Sequence, residues 1–216
     1  MNARTRRGTL ITLEGGEGAG KSTVLAALRA RLVERGIDVV VTREPGGTPF
    51  GEAVRALVLD PARGELCAES ELLLMFAARA QHVREVIEPA LAAGRWVLSD
   101  RYTDASYAYQ GGGRGQPLAR IAELESWAAP IKPGLTLLLD LPVADGLARA
   151  GARSEADRIE RETEDFFERV RNAYRARAAA DPERFRVIDS SQPVDVVRVA
   201  ACAAVDAFVD RAGEFR

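Results

Sequence analysis

Gly15-Gly16-Glu17-Gly18-Ala19-Gly20-Lys21-Ser22 is the stretch on which the reading of this chain turns. It is a complete G-x-x-x-x-G-K-[ST] pattern, set between the apolar run Thr9–Glu14 and a helical pattern that begins at residue 20. Strand, loop and helix in that order are the context this motif requires. Glycines let the backbone curl so that successive N–H groups face phosphate oxygens, and the helix N-terminus adds a positive dipole end. Lys21 then reaches the β- and γ-phosphates as a compact charge, and Ser22 offers an oxygen to Mg²⁺. Gly15, Gly16, Glu17, Gly18, Ala19, Gly20, Lys21, Ser22 and Thr23 are therefore the candidate ATP-binding residues.

On either side of this loop, β-rich apolar runs alternate with helical periods. Candidate strands are Thr9–Glu14, Ile37–Thr42, Arg95–Ser99, Leu135–Leu141 and Phe185–Asp189. Most are apolar almost throughout rather than alternating, as expected of strands covered on both faces. Helical patterns fall at about 20–35, 51–60, 69–93, 117–129, 143–150, 160–181 and 194–211. This alternation predicts an α/β fold, a parallel sheet with helices on both sides. Gly36 and Gly94 follow helices as C-terminal caps, and Pro182 closes the helix before the last strand. The polar stretch 149–160 lacks an apolar stripe and is a candidate surface lid.

The bulk composition narrows the class. A length of 216 residues fits one domain, 1–216, carrying at most a small mobile insert. Hydrophobic residues at 47% and charged ones at 29% allow a sizeable core. A net charge of −2, scattered along the chain, argues against nucleic acid as a partner. Of 30 basic residues only Lys21 and Lys132 are lysine, so a single arginine carries little information and a lysine carries more. Cys67 and Cys202 stand apart in helical stretches and read as two buried thiols rather than a disulfide or metal pair. The apolar run behind the basic N-terminus is cut short at Glu14, and no apolar stretch approaches ~18 residues, so a cytoplasmic protein is expected.

A second signal lies in Trp96-Val97-Leu98-Ser99-Asp100-Arg101-Tyr102. An acid at the carboxyl end of an apolar strand is where a nucleotide-binding sheet presents side chains to its ligand. Asp100 is thus a candidate metal residue with Ser22, and Arg101 a candidate anion clamp. A phosphate loop with a metal acid leaves open a small-molecule kinase or a nucleotide-dependent switch. A second anion site separates them. Arg43, Arg55, Arg79 and Arg101 lie near strand ends or in the long helix, and the planar guanidinium fork suits an acceptor phosphate. The segment Tyr107–Gly115 pairs a tyrosine and an amide with a glycine run; it reads either as a base or sugar contact or as a flexible surface turn. His82, the only histidine, is expected on a helix surface, and no Asn-Lys-x-Asp guanine-reading segment is present.

LEGGEGAGKST, TREPGGTP, LLLMFAARAQH, SDRYTDASYAYQGGGRG and ARSEADRIE followed by FFERVRNAY resemble, in order, the bacterial thymidylate kinase family. TREPGGT with YQGGGRG is specific to that family; the phosphate loop is not. The resemblance implies a P-loop kinase core with five parallel strands in the order 2-3-1-4-5, a homodimer, and Mg²⁺-dependent transfer of the ATP γ-phosphoryl to dTMP in dTTP biosynthesis. It further implies that Glu17 faces the dTMP sugar and helps organise the metal or water between phosphates. Arg43, Arg55 and Arg101 would hold the dTMP phosphate, with Glu44 nearby. Arg79 would meet the thymine, and Ser106, Tyr109 and Gln110 would line base and sugar. Where the family often places an aromatic residue under the thymine this chain has Met75, so either Met75 or Phe76 fills that role. The phosphate loop carries no arginine, which passes the catalytic charge to the lid. Some relatives have a third lid arginine where Gly151 stands, leaving Arg149, Arg153 and Arg158, with Arg149 and Arg153 the pair expected to touch ATP.

Overall fold

The computed structural model of the chain describes residues 7–64, 66–151 and 157–214. Five parallel strands, β1 (Leu10–Gly15), β2 (Val39–Arg43), β3 (Trp96–Asp100), β4 (Leu135–Asp140) and β5 (Phe185–Asp189), form one sheet in the order β2-β3-β1-β4-β5. The expected order 2-3-1-4-5 is the observed one. Each expected strand is present, with ends displaced by at most two residues. Central β1 is buried throughout, as its continuous apolar run requires, while edge strand β2 is only half covered.

Register places the chemistry at one edge. Leu13 pairs with Asp100, Asp100 with Arg43, and Gly15 with Leu139, so the carboxyl ends of β1, β2 and β3 gather together. Helix α1 (Lys21–Glu34) buries Val24, Leu28 and Leu32 in one cluster with Ile11, Leu13, Leu98 and, from α9 (Val194–Glu214), Val197 and Val205. The spacing of 24, 28 and 32 is the i, i+4 stripe of a helix packed on a sheet. A second cluster joins α2 (Pro49–Leu59), α3 (Ala68–His82) and α8 (Glu164–Ala180) through Val54, Met75, Phe166, Val170 and Tyr174. Helix α2 starts where Thr48 accepts the Gly51 N–H at 2.9 Å and Pro49 occupies the first turn.

Three departures from the sequence reading have physical causes. The single helix expected over 69–93 is α3, a π-helical turn at Val83–Ile87, and α4 (Glu88–Ala92). Pro89 has no N–H for the carbonyl four residues back, and the wider turn before it accommodates that loss. Residues 103–113, left without a helix in the sequence reading, form α5 (Thr103–Ser106) continued by a π-helical turn, Tyr107–Gly113. Their glycines serve close packing: a Cβ at Gly112 would lie 2.6 Å from Ala173 Cβ, and one at Gly113 would lie 2.4 Å from the Phe166 ring. The surface-turn alternative is therefore wrong. Both cysteines are free, but Cys67 is exposed and Cys202 half-buried, so neither is the buried thiol expected.

The remaining helices are α6 (Leu118–Ala128) and α7 (Val143–Gly151). Of the stretch 149–160 expected as a lid, Arg149 belongs to α7, which ends at Gly151, residues 152–156 lie outside the described residues, and residues 157–162 form turns that bond to the end of α2.

Candidate active site

The phosphate loop joins β1 to α1 through three glycines with positive φ, Gly15 at 144°, Gly18 at 68° and Gly20 at 84°. Gly18 is also pressed against α7, where a Cβ would come 2.1 Å from the Gly146 carbonyl oxygen. At Gly16 and Gly20 a Cβ would meet nothing within 4 Å, so the mouth of the loop is open. Gly20 caps α1 without a side-chain acceptor, leaving the first helical N–H groups for an anion. Lys21 Nζ donates to the Gly15 and Gly16 carbonyls, each at 3.2 Å, which curls it over the loop. Burial, and next the neighbouring Arg101 charge, hold the Lys21 ammonium below its ordinary range. Ser22 and Asp100 line the same mouth. Asp100 Oδ1 is buried without a hydrogen-bond partner among the described residues, and an orphaned carboxylate oxygen beside a hydroxyl suits a hard divalent cation.

Arg101 joins this loop to the next site. It is the only described non-glycine residue with positive φ, at 68°. Such a conformation costs about 1 kcal/mol and persists when its surroundings over-determine it. Here the Arg101 N–H donates to Leu13 O at 2.9 Å, and the Tyr102 N–H donates to buried Glu14 Oε1 at 2.8 Å. Ser99 Oγ donates to Arg101 O at 2.7 Å. The reward is direction: Arg101 Nη2 donates to Glu17 Oε1 and Tyr109 Oη, both at 2.7 Å, and the Tyr109 hydroxyl donates to the same Glu17 oxygen at 2.7 Å. Burial would raise the Glu17 carboxyl, but the Arg101 and Lys21 charges outweigh it and hold the group at about 2. Arg101 Nε is buried and unpaired among the described residues, a donor in reserve.

Beyond Arg101 opens a cleft lined by Glu17, Glu44, Arg55, Met75, Arg79, Arg101, Ser106, Tyr109 and Gln110. Most residues expected on the acceptor side thus converge on one cavity. Arg79 is 3% exposed and held on three sides, by Glu44 Oε2 at 2.6 Å, Ser106 Oγ at 2.9 Å and Tyr102 O at 3.0 Å. Arg55 donates to Pro45 O at 3.1 Å, and burial followed by the Arg43 and Arg101 charges lowers its pKa. Cations crowded in this way favour an incoming anion. Met75 lines the cleft, whereas Phe76 lies behind it, packed with Leu72, Tyr107 and Ile121 and 4.6 Å beneath the Arg79 guanidinium. Arg43 stands outside the cavity lining, half exposed and paired with Glu52 at 2.9 Å.

The lid arginines separate. Arg149 donates to Ser190 O at 3.0 Å and lines a groove with Ala19, Gly20 and Gln192 that shares no lining residue with the cleft. Arg158 donates to Val58 O and to Glu71 Oε2, both at 2.6 Å, so it belongs to a buried polar cluster that also holds Gln110 and Arg114. Arg153 lies outside the described residues. Sequence reasoning missed Glu71 and the buried roles of Glu14 and His82. His82 is fully buried rather than on a helix surface. Its position three residues after Arg79, on the same helical face, was the signal available.

A phosphate loop and an anion-attracting cleft that share Glu17 define a P-loop phosphotransferase with two adjoining nucleotide sites. The family model described as thymidylate kinase matches residues 13–200. The chain is 57% identical over 192 residues to the thymidylate kinase of Ectopseudomonas mendocina, covering 88% of this chain and 91% of that one. It is 55% identical over 205 residues to that of Pseudomonas entomophila, covering 94% and 98%. The crystal structure of thymidylate kinase from Ehrlichia chaffeensis superposes with a TM-score of 0.76 at 30% identity, covering 93% of this chain and 99% of that one. The chain belongs to the thymidylate kinase family, and is thus a nucleoside monophosphate kinase that phosphorylates dTMP with ATP as co-substrate.

Proposed function

We propose that the chain transfers the ATP γ-phosphoryl to dTMP with Mg²⁺, ATP lying across the phosphate loop and dTMP in the cleft that meets it at Glu17. The observation that carries this assignment is the Glu17–Arg101–Tyr109 triangle, whose Glu17 lines both cavities while Arg101 and Tyr109 line the cleft. Transfer needs little covalent chemistry, only alignment of two phosphates and neutralisation of the charge they bring together. Lys21 and the α1 N-terminus receive the β- and γ-phosphates. Arg101 and Arg55 orient the acceptor phosphate, with Arg43 at its outer edge, and Arg79, Ser106, Tyr109 and Gln110 orient the nucleoside over Met75. Asp100 and Ser22 would hold Mg²⁺, which when bound offsets charge on the phosphate oxygens. Arg149 sits where it can steady ATP, and Arg153 completes the catalytic charge.

A homodimer is supported by the exposed apolar side chains Leu73 on α3 and Leu118 and Trp127 on α6, at 58%, 58% and 83% exposure. No described helix is long and apolar enough to cross a membrane. The decisive assay follows ADP release from ATP with dTMP, dUMP, dCMP, AMP or no acceptor. Turnover that depends on dTMP supports the assignment; acceptor-independent turnover overturns it.

A further inference from the structure

His82 ends α3 fully buried, and both of its ring nitrogens are engaged. Nδ1 lies 2.8 Å from Glu44 Oε1, and Nε2 lies 2.6 Å from Thr42 Oγ1. An ionised carboxylate only accepts, so Nδ1 carries a proton towards Glu44, and the Thr42 hydroxyl can donate or accept to suit Nε2. The second Glu44 oxygen, Oε2, accepts from Arg79 Nε at 2.6 Å. Glu44 is thus pinned between the imidazole and the guanidinium.

The loop after β2 rests on the same ring. Gly47 has φ 77°, and a Cβ there would come 2.7 Å from His82 Cδ2, His82 Nε2 and Thr42 Oγ1. Only glycine lets this backbone sit directly on the imidazole. One ring therefore ties together β2, the loop that carries Glu44, and the helix that carries Arg79. Arg79 spends three of its five N–H groups on Glu44, Ser106 and Tyr102 O, leaving two for the cleft.

We infer that His82 is the positioning residue of the acceptor site: it holds Glu44 in register, and Glu44 sets the plane in which Arg79 meets the base. The inference rests on the reading of the cleft as the dTMP site. A donor-only guanidinium favours a base carbonyl and rejects an amino group, so its orientation controls the preference for dTMP over dCMP. An ordinary core histidine would influence stability alone.

Three variants test this. Asparagine presents an amide near the Nδ1 position and glutamine near the Nε2 position. H82Q therefore keeps the contact to Thr42 and loses Glu44, whereas H82N does the reverse. H82L loses both. The expected KM for dTMP rises about tenfold in H82Q and H82L and less than about threefold in H82N, with KM for ATP unchanged. The dTMP-over-dCMP preference falls in the same two variants. Equal KM values for dTMP in folded H82N and H82Q overturn the inference, as does a parallel loss for ATP and dTMP.

Because the chain has one histidine, ¹⁵N-histidine NMR of the untagged wild type gives an independent arm. A solvent-protected Nδ1–H that shifts with dTMP and not with ATP is expected. An unprotonated Nδ1, or no response to dTMP, refutes the role even if every variant fails to fold. A wild type without dTMP-dependent turnover would instead bring down the acceptor assignment itself.

Discussion

Arg101 Nη2 lies 2.7 Å from Glu17 Oε1, and this contact bridges the end of β3 and the middle of the phosphate loop. On the proposed assignment, the cation that serves the acceptor is thereby fixed to the loop that serves ATP. With ATP on the loop and dTMP in the cleft, as proposed, the two sites would be coupled through this one carboxylate.

Glu17→Gln tests that tie. The charge that orients Arg101 is lost while the shape is kept, and kcat/KM for dTMP should fall by about tenfold or more. The pH dependence has a definite sign. The Glu17 carboxyl is depressed to about 2, so its contribution to stability is present above its ordinary titration range and is lost as pH falls towards that value. Thermal denaturation followed from about pH 5 downward should therefore show a steeper loss in the wild type than in the variant. Parallel curves would remove Glu17 from the balance.

Glu14 carries the opposite sign. Burial, with the Asp104 carboxylate adding to it, pushes this β1 side chain up to about 8. Between its ordinary range and that value the folded chain holds a proton that the unfolded chain has released, so stability falls as pH rises through the window. Glu14→Gln keeps an acceptor for the Tyr102 N–H and removes the titration. Its melting temperature relative to wild type should climb between about pH 5 and about pH 9; a constant difference would contradict the prediction.

On the proposed assignment, Arg79 and Arg101 serve different ends of the acceptor. Replacing Arg101 by alanine should lower turnover with dTMP and dCMP alike, because the phosphate is common to both. Replacing Arg79 by alanine should change their ratio, since this residue lies in the Met75-lined part of the cleft. Each loss should reach about a hundredfold in kcat/KM, the scale of a charged hydrogen bond in a sheltered site. Identical ratios in the two variants would reverse the assignment.

Arg158 and Arg149, alike in sequence, should behave differently. Arg158 is 10% exposed and bonded to Glu71, which is 1% exposed, so Arg158→Ala leaves a buried carboxylate short of a partner. Unfolding stability should fall by about 1–3 kcal/mol, with kcat changed by less than about threefold. Arg149→Ala should raise KM for ATP and leave the dTMP constants near wild type. Chemical denaturation and steady-state kinetics on the two proteins separate these outcomes.

Local chemistry is legible in the sequence alone. A glycine loop ending in Lys21 and Ser22 binds phosphate by backbone geometry that few residues can adopt, and the apolar strands Leu135–Asp140 and Phe185–Asp189 announce a covered parallel sheet by composition alone. The convergence of Arg55, Arg79 and Arg101 was readable only as positions near strand ends or in the long helix. The glycines at 111–113 left two readings open because packing against α6 and α8 and a tight turn demand the same residue.

Glycine and lysine at fixed spacing act over one turn of backbone, which is why eight consecutive letters specify the ATP loop and the strand and helix around it. Partners distant along the chain obey no such spacing. Glu44 meets His82 thirty-eight residues away, Arg158 meets Glu71 eighty-seven residues away, and Arg101 meets Glu17 eighty-four residues away. Whether Met75 or Phe76 faces the cleft turned on the rotation of α3 against α2 and α6, and whether an arginine faces the cleft or a buried glutamate turned on which carboxylate the fold brought beside it. Burial and charge pairing set these outcomes, and both are properties of the packed chain rather than of any segment of it.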